Sequence, residues 1–254
     1  MITIWPQHHR NFIVRIHRVH CPQALAPEQQ LTLDGKTAHY LGRVLRVEPG
    51  QSIVLFNGDG RDYLSEVLQV GKKDLQLVVR SRLPAICESS LSITVVQAIS
   101  RGERMDQTLQ KCTELGAAAF QPLFSERVEV RLRGDKLARR LEHWRSVVIS
   151  ACEQSGRARV PTVHRPVQLA EWIRAESKSR RLVLAPRAET PLSRVAITQA
   201  VELAVGPEGG FSSTEMEPLV AGGVDAAGLG PRILRTETAA PAALAVLQAM
   251  KGDF

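Results

Sequence analysis

No stretch of this 254-residue chain is apolar for long enough to span a bilayer. His8, His9, Arg10, Arg15 and Arg18 interrupt every apolar run near the start, so no secretory leader is legible either. With neither feature legible, the cytoplasm is the expected compartment. Cysteine is scarce: Cys21, Cys87, Cys112 and Cys152 include no C-x-x-C pair, which excludes the usual structural zinc spacings, and no metal site is expected. Cys112 and Cys152 fall in apolar helical patterns and read as small buried hydrophobes. Lysine is also scarce, with 7 Lys against 26 Arg. A phosphate-binding loop of the form G-x-x-x-x-G-K-[ST] is absent, which argues against a nucleoside triphosphate enzyme of that class.

What remains is a basic, arginine-dominated chain with net charge +7 and a pI near 9.6. Arginine grips phosphate with a planar fork and stacks on bases, so this balance favours a polyanionic partner, nucleic acid first. A GC-rich genome, which writes Arg for Lys, would explain the ratio equally well, though less readily the net charge.

From Val14 the pattern reads as short strands, Val14–His20 and Leu31–Leu33, then a helical stretch at Ala38–Arg46. Ser52–Phe56, Tyr63–Val70 and Asp74–Arg80 alternate apolar and polar residues. Asn57-Gly58-Asp59-Gly60 and Gly71-Lys72-Lys73 separate them as a hairpin meander would require. Residues 14–83 therefore predict a small β-barrel or curled sheet, preceded by an extension at 1–13. Residues 84–90 read as a linker. Beyond it, residues 91–254 alternate strands (Leu91–Ile99, Ala117–Phe124, Val160–Val163, Arg181–Ala185, Val201–Val205, Asp225–Leu229) with helices (Glu103–Leu115, Lys136–Gln154, Leu169–Glu176). This is an α/β pattern with a parallel sheet covered by helices.

Ligands of such sheets bind beyond the carboxyl ends of the strands. Three late strands run into Gly- or Pro-bearing loops: Ala185-Pro186-Arg187, Gly206-Pro207-Glu208-Gly209-Gly210 and Gly230-Pro231-Arg232. The second leads into Ser212-Ser213-Thr214-Glu215, a capping box, so Gly206–Gly210 is a strand-to-helix turn with exposed amides. Gly228-Leu229-Gly230 lacks the third glycine of a dinucleotide fingerprint, because Ile233 stands there. Leu229, Ile233 and Leu234 offer an apolar cradle instead. A flat, polar-edged ligand suits these loops, and tight packing turns would use the same residues.

Gly-Pro-Glu-Gly-Gly-Phe-Ser at 206–212 and Leu-Gly-Pro-Arg-Ile-Leu-Arg-Thr-Glu-Thr-Ala at 229–239 resemble the signature of the ribosomal small-subunit methyltransferase E family. The similarity extends through Gly42–Arg46, Ser100–Met105, Leu123–Arg127 and Ala151–Arg157, and departs at residues 1–13, His17 and Val19. The resemblance implies a PUA-like N-terminal barrel and a SPOUT-type methyltransferase domain. It further implies a C-terminal trefoil knot and a homodimer with cofactor sites at the subunit interface. The implied activity is S-adenosylmethionine-dependent methylation of N3 of a uridine in 16S ribosomal RNA, free or in the small ribosomal subunit.

Carried over by position, the resemblance has Leu184, Ala185, Pro186, Gly206, Pro207, Glu208, Gly209, Gly210, Leu229, Gly230, Ile233 and Leu234 hold S-adenosylmethionine. Arg232 and Arg235 are candidates to stabilise charge on the uracil. Glu237 would act as base, orient an arginine, or simply answer the dipole of a helix N-terminus. RNA contacts are expected from Arg15, Arg18, Arg43 and Arg46 in the first domain, and from Arg101, Arg104 and Arg127 in the second. Two rivals stand beside this: a non-catalytic RNA-binding module, which leaves the three loops without a role, and a nucleotide-dependent enzyme, which the missing phosphate loop disfavours.

Overall fold

Alternation with period two puts one face of each early strand into a core, and the turns set the pairing. The computed structural model describes residues 16–85, 88–130 and 132–254. Within them β1 (His17–His20), β2 (Gln30–Leu33), β3 (Ser52–Phe56), β4 (Asp62–Val70) and β5 (Leu75–Arg82) form one sheet in the order β1-β3-β4-β5-β2. β1 and β3 are parallel; the other pairs are antiparallel. Two register shifts in the β4–β5 pair curl the sheet, as bulges do. Among the described residues β1 and β2 are its edges, so backbone pairing there makes a curled sheet. Its concave side is filled by Val19, Leu31, Leu41, Ile53, Leu55, Val67, Leu75 and Leu77, among others.

The expected helix at Ala38–Arg46 is shorter and irregular. α1 (Gly35–His39) gives way to a wide turn, Tyr40–Val44, in which Leu45 N–H reaches back to Tyr40 O at 3.0 Å. Gly42 weakens the helix at its middle and Arg46 ends it at φ 52°.

Two compact units divide the chain: residues up to Glu88 together with Cys152–Val160, and Ser89–Ala151 together with Pro161–Phe254. Arg18 is the anchor of the first. Its guanidinium donates to both carboxylate oxygens of Asp62 (2.7–3.1 Å), to Cys152 O at 2.7 Å and to Arg157 O at 2.8 Å. It also lies 3.8 Å from the Phe56 ring centroid. With its side chain 4% exposed, Arg18 is not the RNA-facing cation that its place in a basic strand suggests. Every direction of its fork is used inside the unit.

The second unit carries β6 (Ser92–Ala98), α2 (Arg104–Glu114), β7 (Ala119–Phe124), α3 (Gly134–Ser155, its last turn in the first unit), β8 (Thr162–Val163), β9 (Val167–Gln168) and α4 (Leu169–Arg174). It continues with β10 (Arg180–Leu184), β11 (Ala200–Val205), α5 (Ser213–Ala221), β12 (Asp225–Ala227) and α6 (Thr236–Lys251). The sheet order is β12-β10-β11-β6-β7-β8, with β9 also on β7, and every pair is parallel. Leu169, Trp172 and Leu219 of α4 and α5 pack with Val96, Leu123, Val183 and Ala204. α6 packs on β6, β11 and α2 through buried Ala240, Ala243, Leu244 and Leu247. Burying each of those leucines contributes about 1.5–3 kcal/mol, which explains why the helix holds despite Pro241 in its first turns. Cys112 and Cys152 are fully buried as expected; burial alone raises the Cys112 thiol far above its usual range, and is the largest cause raising that of Cys152 to about 12. Among the described residues no helix is long and apolar enough to cross a membrane, and no cluster of metal-ligating side chains occurs.

Arg18→Ala strips Asp62, itself 10% exposed at the side chain, of its partner and should cost about 3–5 kcal/mol of stability. Urea denaturation checks this, and a change below about 1 kcal/mol would contradict an anchoring role.

Candidate functional site

Because β10 pairs in parallel with β11 on one side and β12 on the other, the three strands end side by side. The Gly/Pro loops singled out in the sequence therefore meet at one edge of the second unit. Ala185 N–H donates to Ala227 O at 3.0 Å, Gly228 N–H to Thr190 O at 2.9 Å, and Leu192 N–H to Gly228 O at 2.9 Å. These bonds lace the segment after β10 to the exit of β12. In the middle loop Gly210 N–H closes a turn onto Pro207 O at 2.8 Å. Gly206 has no room for a side chain: a Cβ there would sit 3.0 Å from Phe211 N and 3.1 Å from Gly210.

A buried relay holds the middle loop from below. Gln97, fully buried on central β6, donates from Nε2 to Thr236 Oγ1 at 2.9 Å, and Thr236 Oγ1 donates to Gly206 O at 2.9 Å. The first residue of α6 is thus bonded to the first residue of the loop. From the side, the turn after β7 acts as a clamp. Glu126 accepts from Ser212 Oγ at 2.5 Å and Thr214 Oγ1 at 3.0 Å, and these hydroxyls hold its carboxyl below the usual range. Glu126 N–H donates to Glu215 Oε1 at 2.7 Å, and Arg127 Nη1 to Gly209 O at 2.5 Å. The capping box forms, with Ser212 N–H donating to Glu215 Oε2 at 3.0 Å.

The charged groups gather at the same edge. Glu208 accepts from Arg104 Nη1 at 2.7 Å and from Arg101 N–H at 3.1 Å. Burial pushes its carboxyl up, but backbone N–H groups and Arg104 outweigh that and hold it below the usual range. Arg104 Nε also lies 3.9 Å from Glu237 Oε1. Glu237 sits in the first turn of α6, 15% exposed, and its Oε2 is buried without a hydrogen-bond partner among the described residues. Arg232 and Arg235 are exposed and form no ion pair among the described residues.

The expected cofactor residues are thus brought together. Leu184, Ala185, Gly206, Gly210, Leu229 and Leu234 are half-buried and Pro207 is buried, whereas Pro186, Glu208, Gly209 and Gly230 are exposed. Ile233 is 82% exposed, a large apolar side chain left bare among the described residues. Of the expected RNA contacts, Arg43 and Arg46 are exposed on the first unit. Arg101 is paired with Glu129, while Arg104 and Arg127 serve the loop as described. Arg18 is buried, and Arg15 lies outside the described residues. Gln97, Glu126 and Thr236 were not singled out by sequence. Gln97 did leave a signal, as the one amide inside the apolar run Leu91–Ile99; Glu126 and Thr236 lay inside the quoted motifs without a role.

The family model described as an RNA methyltransferase domain matches residues 87–248, and that of an RNA methyltransferase PUA domain matches residues 33–80. Ribosomal RNA small subunit methyltransferase E of Buchnera aphidicola is 33% identical over 94% of this chain and 98% of the relative. The protein of that name from Mycobacterium tuberculosis is 36% identical over 84% and 83%. Among solved structures, the enzyme of that name from Neisseria gonorrhoeae, bound to S-adenosyl methionine, superposes with TM-score 0.88 at 38% identity, covering 94% of this chain and all of that one. A Legionella pneumophila protein in complex with the cofactor SAM gives TM-score 0.89 at 39% identity over 95% and 100%. Matched in both domains and nearly end to end, the chain belongs to the ribosomal RNA small subunit methyltransferase E family.

Proposed function

We propose that this chain is a cytoplasmic, S-adenosylmethionine-dependent methyltransferase acting on N3 of one uridine of 16S ribosomal RNA in the small subunit. The observation that carries it is the convergence of three backbone-rich loops on one sheet edge, beside arginines that form no ion pair among the described residues. The loops fit the cofactor. Gly210 and Gly230 have φ of 65° and 91°, and the space where their Cβ atoms would stand is open. Exposed N–H and C=O groups suit the adenine edge, and Leu229, Ile233 and Leu234 suit its faces. We take residues 184–186, 206–210 and 229–234 as the cofactor site and the C-terminal part of the chain as a SPOUT-type trefoil knot. The domain reading follows: an extension at 1–13, a PUA-like domain at 14–83 and the methyltransferase domain from 91. A homodimer accounts for bare Ile233, since a partner subunit over the cofactor would cover it.

When bound, S-adenosylmethionine supplies an electrophilic methyl group. The residues of this chain have two tasks, to orient the uracil and to dispose of its N3 proton. Arg232 and Arg235, which form no ion pair among the described residues, stabilise the negative charge that spreads over the flanking carbonyls. Glu237 has one unpartnered buried oxygen and a distant hold on Arg104, which suits a group that either takes the proton or orients a guanidinium. Its position in the first turn of α6 also answers the helix dipole.

Mass mapping of modified nucleosides in 16S ribosomal RNA tests the assignment. N3-methyluridine should be lost on deletion of the gene and restored by the wild-type chain, and Arg232→Ala should restore it far more slowly with RNA affinity kept. An unchanged modification on deletion would contradict the assignment, and wild-type rates in Arg232→Ala would remove that arginine from the chemistry. Thr236→Val removes the hydroxyl between Gln97 and Gly206. It should cost about 1–3 kcal/mol of stability, as for an unsatisfied buried polar group, and raise KM for the cofactor more than it lowers kcat. An unaltered KM would show that the relay does not position the loop.

A further inference from the structure

Among the described residues, the first half of α3 carries a concentration of positive charge that the site does not use. A concavity of about 340 Å³ is lined by Leu132, Lys136, Arg139, Arg140 and His143. At about 100° of rotation per residue, Lys136, Arg139, Arg140 and His143 fall within an arc of roughly 100°, with Arg133 at its edge. The acidic residues of this stretch, Asp135 and Glu142, fall outside that arc. Asp106 of α2 adjoins the patch, its Oδ2 2.7 Å from His143 Nε2. The side chains of Lys136, Arg139 and Arg140 form no ion pair or hydrogen bond among the described residues.

Cations at i, i+3 and i+4 repel one another along a helix, so an uncompensated cluster of three costs the free chain stability. An anion seated in the concavity reverses that sign. The cluster also lies close along the chain to the loop edge. Arg127, which holds Gly209 O, precedes Leu132 by five residues, a separation of at most about 18 Å. A polyanion lying on the patch can therefore continue to the Gly206–Gly210 loop.

We propose that the Lys136–Arg139–Arg140 face of α3 is a docking surface for the phosphate backbone of the substrate RNA, outside the base-modifying site. The proposal rests on the methyltransferase function given above. It names the part of the chain that holds RNA by charge rather than by base identity.

The test uses the full-length chain, transcribed 16S ribosomal RNA and a salt series, with cofactor titration in parallel. In the triple variant Lys136→Ala, Arg139→Ala, Arg140→Ala, the slope of log K against log salt should flatten by about 2, with RNA affinity at low salt reduced 10-fold or more. Cofactor affinity should equal that of the wild type, which certifies the fold. The variant Arg139→Lys, Arg140→Lys keeps the charge and should keep the slope. A triple variant with wild-type slope and affinity overturns the docking surface. So does a charge-retaining variant that loses binding as fully as the triple, because shape and not charge would then be responsible. Wild-type protein that binds the cofactor but no RNA overturns the proposal along with the RNA substrate, and wild-type protein that binds neither overturns the underlying function itself.

Discussion

Parallel pairing of β10 with both β11 and β12 is the constraint from which the site follows. Parallel strands all leave the sheet on one side, so three loops distant in sequence are forced together. Backbone that is irregular and close to other backbone cannot carry large side chains. The loops are accordingly rich in glycine and proline, with little side-chain packing of their own to stiffen them. Stiffness has to come from outside. Gln97 and Thr236 supply it from the sheet and from α6, and Glu126 and Arg127 supply it from the turn after β7.

The arginines are sorted by what surrounds them. Arg18 is desolvated and satisfied on every side, which makes it part of a core and removes it from any surface role. Arg104 and Arg127 are held by the middle loop, through Glu208 and through Gly209 O. Among the described residues, the side chains of Arg232 and Arg235 are left without ion-pair partners next to the same loops. A guanidinium that is not already neutralised is the one that can answer charge developing on a substrate, so the free pair is where the chemistry is proposed. One residue type thus serves structure and positioning and is proposed to serve catalysis, and the surroundings tell these uses apart.

Much of this was legible before any coordinates. Turn chemistry placed the β3–β4 hairpin within a residue, because Asn57-Gly58-Asp59-Gly60 admits few alternatives; Asp59 indeed caps that turn through Arg61 N–H and the Tyr63 hydroxyl. Helical spacing placed α2 and α3, and the loop glycines marked the turns that follow β11 and β12. Strand order was not legible: nothing local in β12 says that it inserts beside β10. The role of Arg18 was hidden for the same reason, since its partners Asp62, Cys152 and Arg157 are 44 to 139 residues away. The wide turn at Tyr40–Val44 reads as ordinary helix because its side-chain period differs little from one. The segment Cys152–Val160 reads as the end of a helix and a loop, while its grouping with the first unit depends on long-range contacts.

Hydrogen–deuterium exchange of the whole chain with and without S-adenosylmethionine tests most directly whether the three loops form one cofactor site. The account predicts that amides of residues 185–188, 206–210 and 228–234 gain protection together, at cofactor concentrations that saturate a single class of site. Protection confined to one loop, or no change in any of them, would contradict it.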